Sequence, residues 1–215
     1  MEKPREFSSK KRYVLAFIIG TILFLLIFLI SYSISYFEIN RVSGLQTDIS
    51  YNIFEDRLDY SFFNEPVCSA GSFEKISQDL GFQGRIIDDL ETKLGKQDKA
   101  VLARKKFYTL VELEHLEFVK LINERCDGSV NTILFFYSNN KSEIDISEEA
   151  GRILGVVHQR NINLVIYSFD VDLNSDLVNK LKNKYNVADS PIAVINEKVQ
   201  VKLPANILEI EKHLI

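Results

Sequence analysis

The sequence has little cysteine, histidine and glycine, and each shortage removes a class of function. It holds 2 cysteines in 215 residues, too far apart to form a Cys-x-x-Cys pair. The histidines, His115, His158 and His213, have no metal-ligand spacing to one another or to carboxylates. Glycine-rich phosphate loops, nucleophile elbows and zinc motifs are missing as well. The sequence therefore predicts no metal site and no cofactor.

Positive charge is also scarce beyond the N-terminus. The formal net charge is −4, yet residues 1–12 hold five basic and two acidic side chains and so carry +3. The rest of the chain therefore carries −7. A region this acidic has no general electrostatic attraction for nucleic acid, and the sequence predicts no nucleic-acid partner.

One long apolar run follows the basic tail. Residues 13–37 contain no charged side chain and are rich in Ile, Leu and Phe. These 25 residues suffice, at ~1.5 Å per residue, to cross a hydrocarbon core ~30 Å thick. We interpret them as a transmembrane helix in contact with the lipid bilayer. The alternative is a cleaved signal peptide, for which the apolar run is unusually long.

The charges on the two sides of this run predict its orientation. Basic residues such as Lys10, Lys11 and Arg12 precede it, whereas Glu38 opens the far side. The positive-inside rule places the basic side in the cytoplasm. We therefore expect a cytoplasmic tail over 1–12, a single span over 13–37 in the cell membrane, and an extracytoplasmic C-terminal part.

Cys68 and Cys126 would then both lie where disulfides form and persist. A bridge between them would close a loop of about 59 residues, worth roughly 4 kcal/mol in the loop-entropy model. Two free buried thiols are the alternative. Cys68 precedes one predicted helix and Cys126 follows another, so a bridge would join the open end of a helical hairpin.

The extracytoplasmic part divides into two regions by its hydrophobic pattern. Over 38–128 the apolar residues recur at helical spacing, which predicts helices over about 72–94 and 98–125 joined as a hairpin. Gly81 to Gly84 mark a place where the first helix could break. From residue 129 onwards, short apolar runs alternate with amphipathic stretches, which is typical of an α/β domain.

The predicted order over 129–215 is β-α-β-α-β-β-α. Asp145 and Glu148 have the spacing of a capping box at the start of the first helix. Asn196-Glu197 is predicted to be a hairpin turn. The elements are strand 132–137, a helix after Asp145, strand 164–169, helix 175–185, strands 191–195 and 198–201, and a last helix after Pro204.

This order resembles that of the thioredoxin fold, and the segment 189–196 with Ser190-Pro191 strengthens the likeness. Together with 140–151 and 165–170, the segment is similar to membrane-anchored archaeal thioredoxin-like proteins that lack Cys-x-x-Cys. The resemblance implies a thioredoxin-like domain over 129–215, a cis bond before Pro191, and a binding groove lined by the backbone at Ser190.

The chain departs from the family where a redox enzyme carries its thiols, at the start of the helix after the first strand. Ile144 and Ser147 occupy those positions. Neither side chain performs thiol–disulfide exchange, which requires a thiolate. Dithiol chemistry at this position is therefore excluded.

Three functions follow from these observations. The first is a membrane-tethered, non-catalytic thioredoxin-like module that binds protein or peptide, in a chaperone-like role. The second is a thiol–disulfide oxidoreductase, or a redox-partner subunit, that uses Cys68 and Cys126. The third is a structural membrane component that oligomerises through its helices, although the sequence assigns no oligomeric state. Separately, Asn140-Lys141-Ser142 is a glycosylation sequon in a predicted extracytoplasmic loop.

Overall fold

A computed structural model describes residues 7–58, 70–126 and 130–214 of the chain. The first helix, α1, spans Phe7–Leu58. Within it, Lys10–Ile34 forms a stretch of 25 residues that has no buried side chain and whose most apolar 18 residues have a mean hydropathy of 3.0. In the described part of the chain, this is the one helix long and apolar enough to cross a membrane. The prediction of an N-terminal apolar helix is confirmed, whereas its orientation stays a prediction.

The chain forms two compact units, residues 1–41 and 42–215. In the second unit, α2 (Ala70–Leu94) and α3 (Lys99–Arg125) form the predicted hairpin. Asp98 caps α3, since its carboxylate accepts hydrogen bonds from the N–H groups of Ala100 and Val101 at 2.8 and 3.4 Å. α2 is continuous through Gly84, where a Cβ would lie 3.0 Å from the Tyr108 hydroxyl. A close approach of α3, and not a helix break, explains this glycine.

Four strands form one mixed sheet. They are β1 (Asn131–Tyr137), β2 (Leu164–Asp170), β3 (Ile192–Ile195) and β4 (Val199–Lys202). The spatial order is β2-β1-β3-β4. β1 pairs with β2 in parallel, and the other two pairs are antiparallel. An α/β architecture with the predicted order of elements is thereby confirmed for residues 130–214.

Three further helices complete this part of the chain: α4 (Ile144–Arg160), α5 (Asp176–Lys184) and α6 (Ile207–Glu211). The predicted hairpin turn between β3 and β4 is also present. Asn196 and Glu197 both have positive φ, at 50° and 56°, as a two-residue turn matching the twist of the strands requires. The Asn196 carboxamide in addition accepts the Thr132 N–H at 2.9 Å, which ties the turn to β1.

The sheet is covered on both faces. One face carries Leu134, Phe136, Tyr167 and Phe169, which pack with apolar residues of α2, α3 and α5. The other face packs against α4 and α6. The helical hairpin thus shares a core with the sheet, and the boundary predicted at 128/129 marks a change in the type of element within one compact unit.

Candidate functional site

The two positions predicted to replace redox thiols lie at the start of α4. This helix begins at Ile144 with Glu143 as the preceding cap residue, two residues earlier than a helix capped by Asp145. The predicted N-cap at Asp145 is therefore wrong, because Asp145 lies in the first turn and Glu143 precedes the helix without a side-chain cap. Glu148 does not reach back to a cap either, since its carboxylate lies 3.2 Å from the Lys96 ammonium.

Ser147 has a structural contact in place of a chemical role. Its side chain is buried, and its hydroxyl accepts a hydrogen bond from the Ser138 N–H at 3.1 Å. Ser138 directly follows β1, so this bond joins the first turn of α4 to the end of the strand. Ile144, three residues earlier, is half-buried and lines a neighbouring cavity.

The predicted groove residues lie close to the start of the same helix. The Ser190–Pro191 peptide bond is cis, as is the Leu203–Pro204 bond. The Ser190 hydroxyl donates a hydrogen bond to the Glu143 carboxylate at 2.7 Å, and Glu143 immediately precedes Ile144. The structure thus brings Ser190 and the start of α4 together. The use of this surface as a binding groove stays a prediction.

The other predicted sites are placed only in part. Cys68 lies outside the described residues, so its bridge to Cys126 stays a prediction. Cys126 follows α3 and packs against the core, and among the described residues no cysteine is free. Asn140 is exposed, with its N–H held by the Ser138 hydroxyl and the Asp172 carboxylate at 3.0 and 3.1 Å. Its glycosylation is untested.

A cavity of about 650 Å³ with both apolar and charged lining residues opens beside Ile144 and Ser147. Residues from five elements line it, and the charged ones include four acidic and three basic side chains. The charged lining comprises Asp88, Glu91, Lys96, Lys105, Glu148, Arg152 and Asp170. The hairpin of α2 and α3 therefore supplies one wall, and β1, β2 and α4 supply the others.

Lys105 of α3 occupies the centre of this cavity wall. Its ammonium lies 2.7 Å from the Glu91 carboxylate and also contacts that of Asp170. All three side chains are less than a tenth exposed. Burial by itself lowers the pKa of Lys105, but attraction by Tyr137, Asp170 and Glu91 outweighs burial and raises the pKa above its ordinary value.

This ion cluster also holds the loops that follow β1 and β2. The Asp170 carboxylate accepts a hydrogen bond from the Asn139 side chain at 2.7 Å and another from the Asp172 N–H at 3.0 Å. Asp172 in turn accepts from the Ser138 hydroxyl at 2.8 Å. One buried carboxylate thus links α3 to both loops at the carboxyl ends of the two parallel strands.

The contacts of this cluster stabilise the charged, unreactive form of the Lys105 amine. A lysine acts as a base or as an amine nucleophile only when its amine is neutral, which requires a lowered pKa. Lys105 has a raised pKa and two carboxylate partners. We therefore assign it to the stability of the cavity wall.

A second buried polar group lies further along α3. The Glu112 carboxyl accepts the Ser168 N–H at 2.7 Å, and burial raises its pKa well above the ordinary value. His115 lies between two hydroxyls, with Nδ1 2.8 Å from Tyr167 and Nε2 3.1 Å from Ser77. Burial lowers the pKa of His115 to about 4. This histidine is thus a neutral core residue.

Both buried groups were missed by sequence reasoning. No sequence pattern marks Asp170 as the partner of a lysine 65 residues earlier. The available signal was local: Lys105 and Glu112 lie seven residues apart on a helix whose other buried side chains are apolar except for Thr109 and His115.

No protein-family model, curated protein or solved structure matches this chain. Its candidate function is therefore argued from the contacts above.

Proposed function

We propose that this chain is a membrane-tethered, non-catalytic binding module whose C-terminal domain is thioredoxin-like and holds a protein or peptide partner outside the cytoplasm. Three observations support the proposal. The N-terminal helix has the length and hydropathy to serve as the tether. The element order of residues 130–214 is the one that the resemblance implies. The positions for redox thiols are Ile144 and Ser147.

The contact of Ser147 carries the non-catalytic part of this proposal. Thiol–disulfide exchange at the start of α4 would need a thiolate nucleophile and a second thiol that attacks the resulting mixed disulfide. Ser147 is instead buried, with its hydroxyl engaged by the Ser138 N–H. The helix start is thereby tied to the strand end, and Glu148 in the same turn is paired with Lys96. These contacts hold the start of α4 in a fixed position and leave no side chain there free to act as a nucleophile in thiol exchange.

The surface around Ser190 supports the binding part. Ser190 is half-buried, and its hydroxyl holds Glu143. Asp189, the preceding residue, is exposed, with its carboxylate 3.8 Å from the Lys202 ammonium. Backbone and side-chain groups at this corner are thus positioned by neighbours and remain partly open to a partner, as a preorganised binding site requires.

Two measurements on the full-length chain in membranes test the proposal. The first is reduction of a disulfide substrate, where we expect no turnover above background because no dithiol pair lies at α4. Turnover at the rate of a thioredoxin would contradict the proposal and favour Cys68 and Cys126 as a redox pair. An Ile144→Cys/Ser147→Cys variant measures whether the scaffold supports exchange once thiols are supplied.

The second measurement compares partner capture by wild type and by a Pro191→Ala variant, with Lys180→Ala as a control on an exposed position of α5. We expect the Pro191→Ala variant alone to lose partners. Identical capture by all three proteins would argue against the surface at Ser190.

A further inference from the structure

The outer edge of β2 is open. In the described sheet, β2 pairs only with β1. At its two ends, the Asn163 carbonyl accepts the Asn131 N–H and the Val171 N–H donates to the Tyr137 carbonyl. Backbone groups of odd-numbered residues therefore face β1. Since alternate residues of a strand direct these groups to opposite edges, those of Leu164, Ile166 and Ser168 face outward.

Two of the three outward N–H groups already have partners. The Ser168 N–H donates to the Glu112 carboxyl, and the Leu164 N–H donates to the Asn161 carbonyl at 3.3 Å. Within the described residues, the Ile166 N–H has no partner in a turn, a loop or a side chain. The open part of the edge is thus centred on Ile166 and bounded by one bonded residue on each side.

This edge forms the floor of a cleft of about 970 Å³ between α2 and α4. Leu80 and Arg85 lie on the α2 wall, while Leu154 and His158 lie on the α4 wall. At the start of β2, Ile162 also lines the cleft and is 97% exposed. A strand edge with unpaired backbone groups is a template on which another strand can pair, and Ile162 adds apolar surface beside that edge.

Both walls have room where the chain has glycine. A Cβ built on Gly155 of α4 would meet no atom within 4 Å, and one on Gly81 of α2 would meet only the Arg85 guanidinium, at 3.8 Å. Glycine usually lowers the stability of a helix interior. At these two positions its effect is to widen the cleft beside the strand edge.

We propose that this cleft binds one extended peptide segment of a partner protein, which adds as a strand to the outer edge of β2. The partial charges are complementary: the Ile166 N–H and the outward carbonyls match the carbonyls and N–H groups of a single strand. The edge is recessed between two helices, so a lone strand fits, whereas the sheet of a second copy would meet the walls.

The composition of the walls agrees with a peptide of mixed polarity. Glu74 and Arg85 have opposite charges, and Ser77, Gln78 and His158 add neutral polar groups. The cleft thus carries no excess of one sign to select a charged polymer. This surface is separate from the one at Ser190, so the inference does not depend on the proposed groove.

The test is a selection of random decapeptides displayed on phage against the full-length chain in lipid nanodiscs. Gly155→Phe fills the cleft from a position with free space, and Gly155→Ala is its matched control, since it changes the same helix position without filling the cleft. We expect selected peptides to bind wild type and Gly155→Ala alike and to lose at least about tenfold in affinity on Gly155→Phe.

N-methylation of the selected peptide distinguishes strand addition from other occupants. Methyl groups on alternate backbone nitrogens should weaken binding by about tenfold, because each removes a donor to β2, while the intervening positions should change it little. On binding, hydrogen exchange at the Ile166 amide should slow. Gly81→Phe, on the opposite wall, provides a second filling variant if Gly155→Phe fails to fold.

Three outcomes would overturn the proposal. One is that no peptide is enriched on wild type over the folded filling variant. Another is that the enriched peptides bind without sensitivity to alternate N-methylation, as a helical or purely apolar occupant would. The third is that the chain self-associates through this surface and Gly155→Phe makes it monomeric, in which case the occupant is a second copy.

Discussion

Two buried polar groups on the same helix, α3, differ in charge. Lys105 sits between Glu91 and Asp170 and remains an ammonium ion. Seven residues later, burial raises the pKa of Glu112, which favours its neutral form. The difference teaches that burial alone does not decide the charge of a side chain. An opposite charge in direct contact offsets the desolvation cost, and a single backbone donor does not.

The largest effect should follow from removing the central charge of the first group. We expect Lys105→Met to destabilise the second compact unit by about 3–5 kcal/mol, because it leaves two buried carboxylates facing each other. Thermal unfolding of the full-length chain in detergent measures this. Lys96→Met is the control, since Lys96 is half-buried and Glu148 is exposed, and a pair that solvent reaches contributes at most about 1 kcal/mol. Equal losses from both variants would contradict the assignment of Lys105 to a buried cluster.

The neutral histidine should make the fold sensitive to acid. The pKa of His115 falls from 6.5 to about 4 on folding, so the unfolded chain binds more protons between these values. The contribution of neutral His115 to the free energy of unfolding is therefore complete above pH 6.5. It is lost as the pH falls towards 4, and the full loss is on the order of 3 kcal/mol. We expect a His115→Gln variant to show a smaller decline than wild type over this range. Parallel pH profiles would show that His115 does not titrate on unfolding.

Glu112 should behave in the opposite sense. Its folded pKa is raised, so its contribution is complete below the ordinary value of 4.5 and is lost as the pH increases above it. Near pH 4.5, Glu112→Gln should change the free energy of unfolding by no more than about 1 kcal/mol, since the amide oxygen still accepts the Ser168 N–H. At higher pH the free energy of unfolding of the variant should increase relative to that of wild type. A loss that grows with pH would mean that Glu112 is ionised in the folded chain.

Much of the fold was predictable from local patterns. The apolar run predicted the N-terminal helix, and the spacing of apolar residues predicted α2 and α3 as a hairpin. Asn196-Glu197 marked the turn between β3 and β4, because asparagine is among the residues that tolerate positive φ. The start of α4 was misplaced by two residues, because Asp145 and Glu148 have the spacing of a capping box while their surroundings decide their contacts.

The candidate sites were predictable only in outline. Ile144, Ser147 and Ser190 were chosen by resemblance, and the structure brings Ser190 to the residue before Ile144. The ion cluster was not foreseen, since Lys105 and Asp170 are 65 residues apart and each is an ordinary surface residue type. The open edge of β2 was hidden for the same reason. Which strand lies at an edge is a property of the strand order.

The sequence by itself determined where the chain is apolar enough to cross a membrane, which segments become helices and strands, and that no thiol pair stands at the start of α4. These properties depend on residues close together along the chain. Only the tertiary structure decided that Lys105 is buried between carboxylates, that Glu112 meets the edge of β2, and that a cleft remains beside Ile166. The physical reason is that desolvation and strand pairing depend on which distant segments share one core.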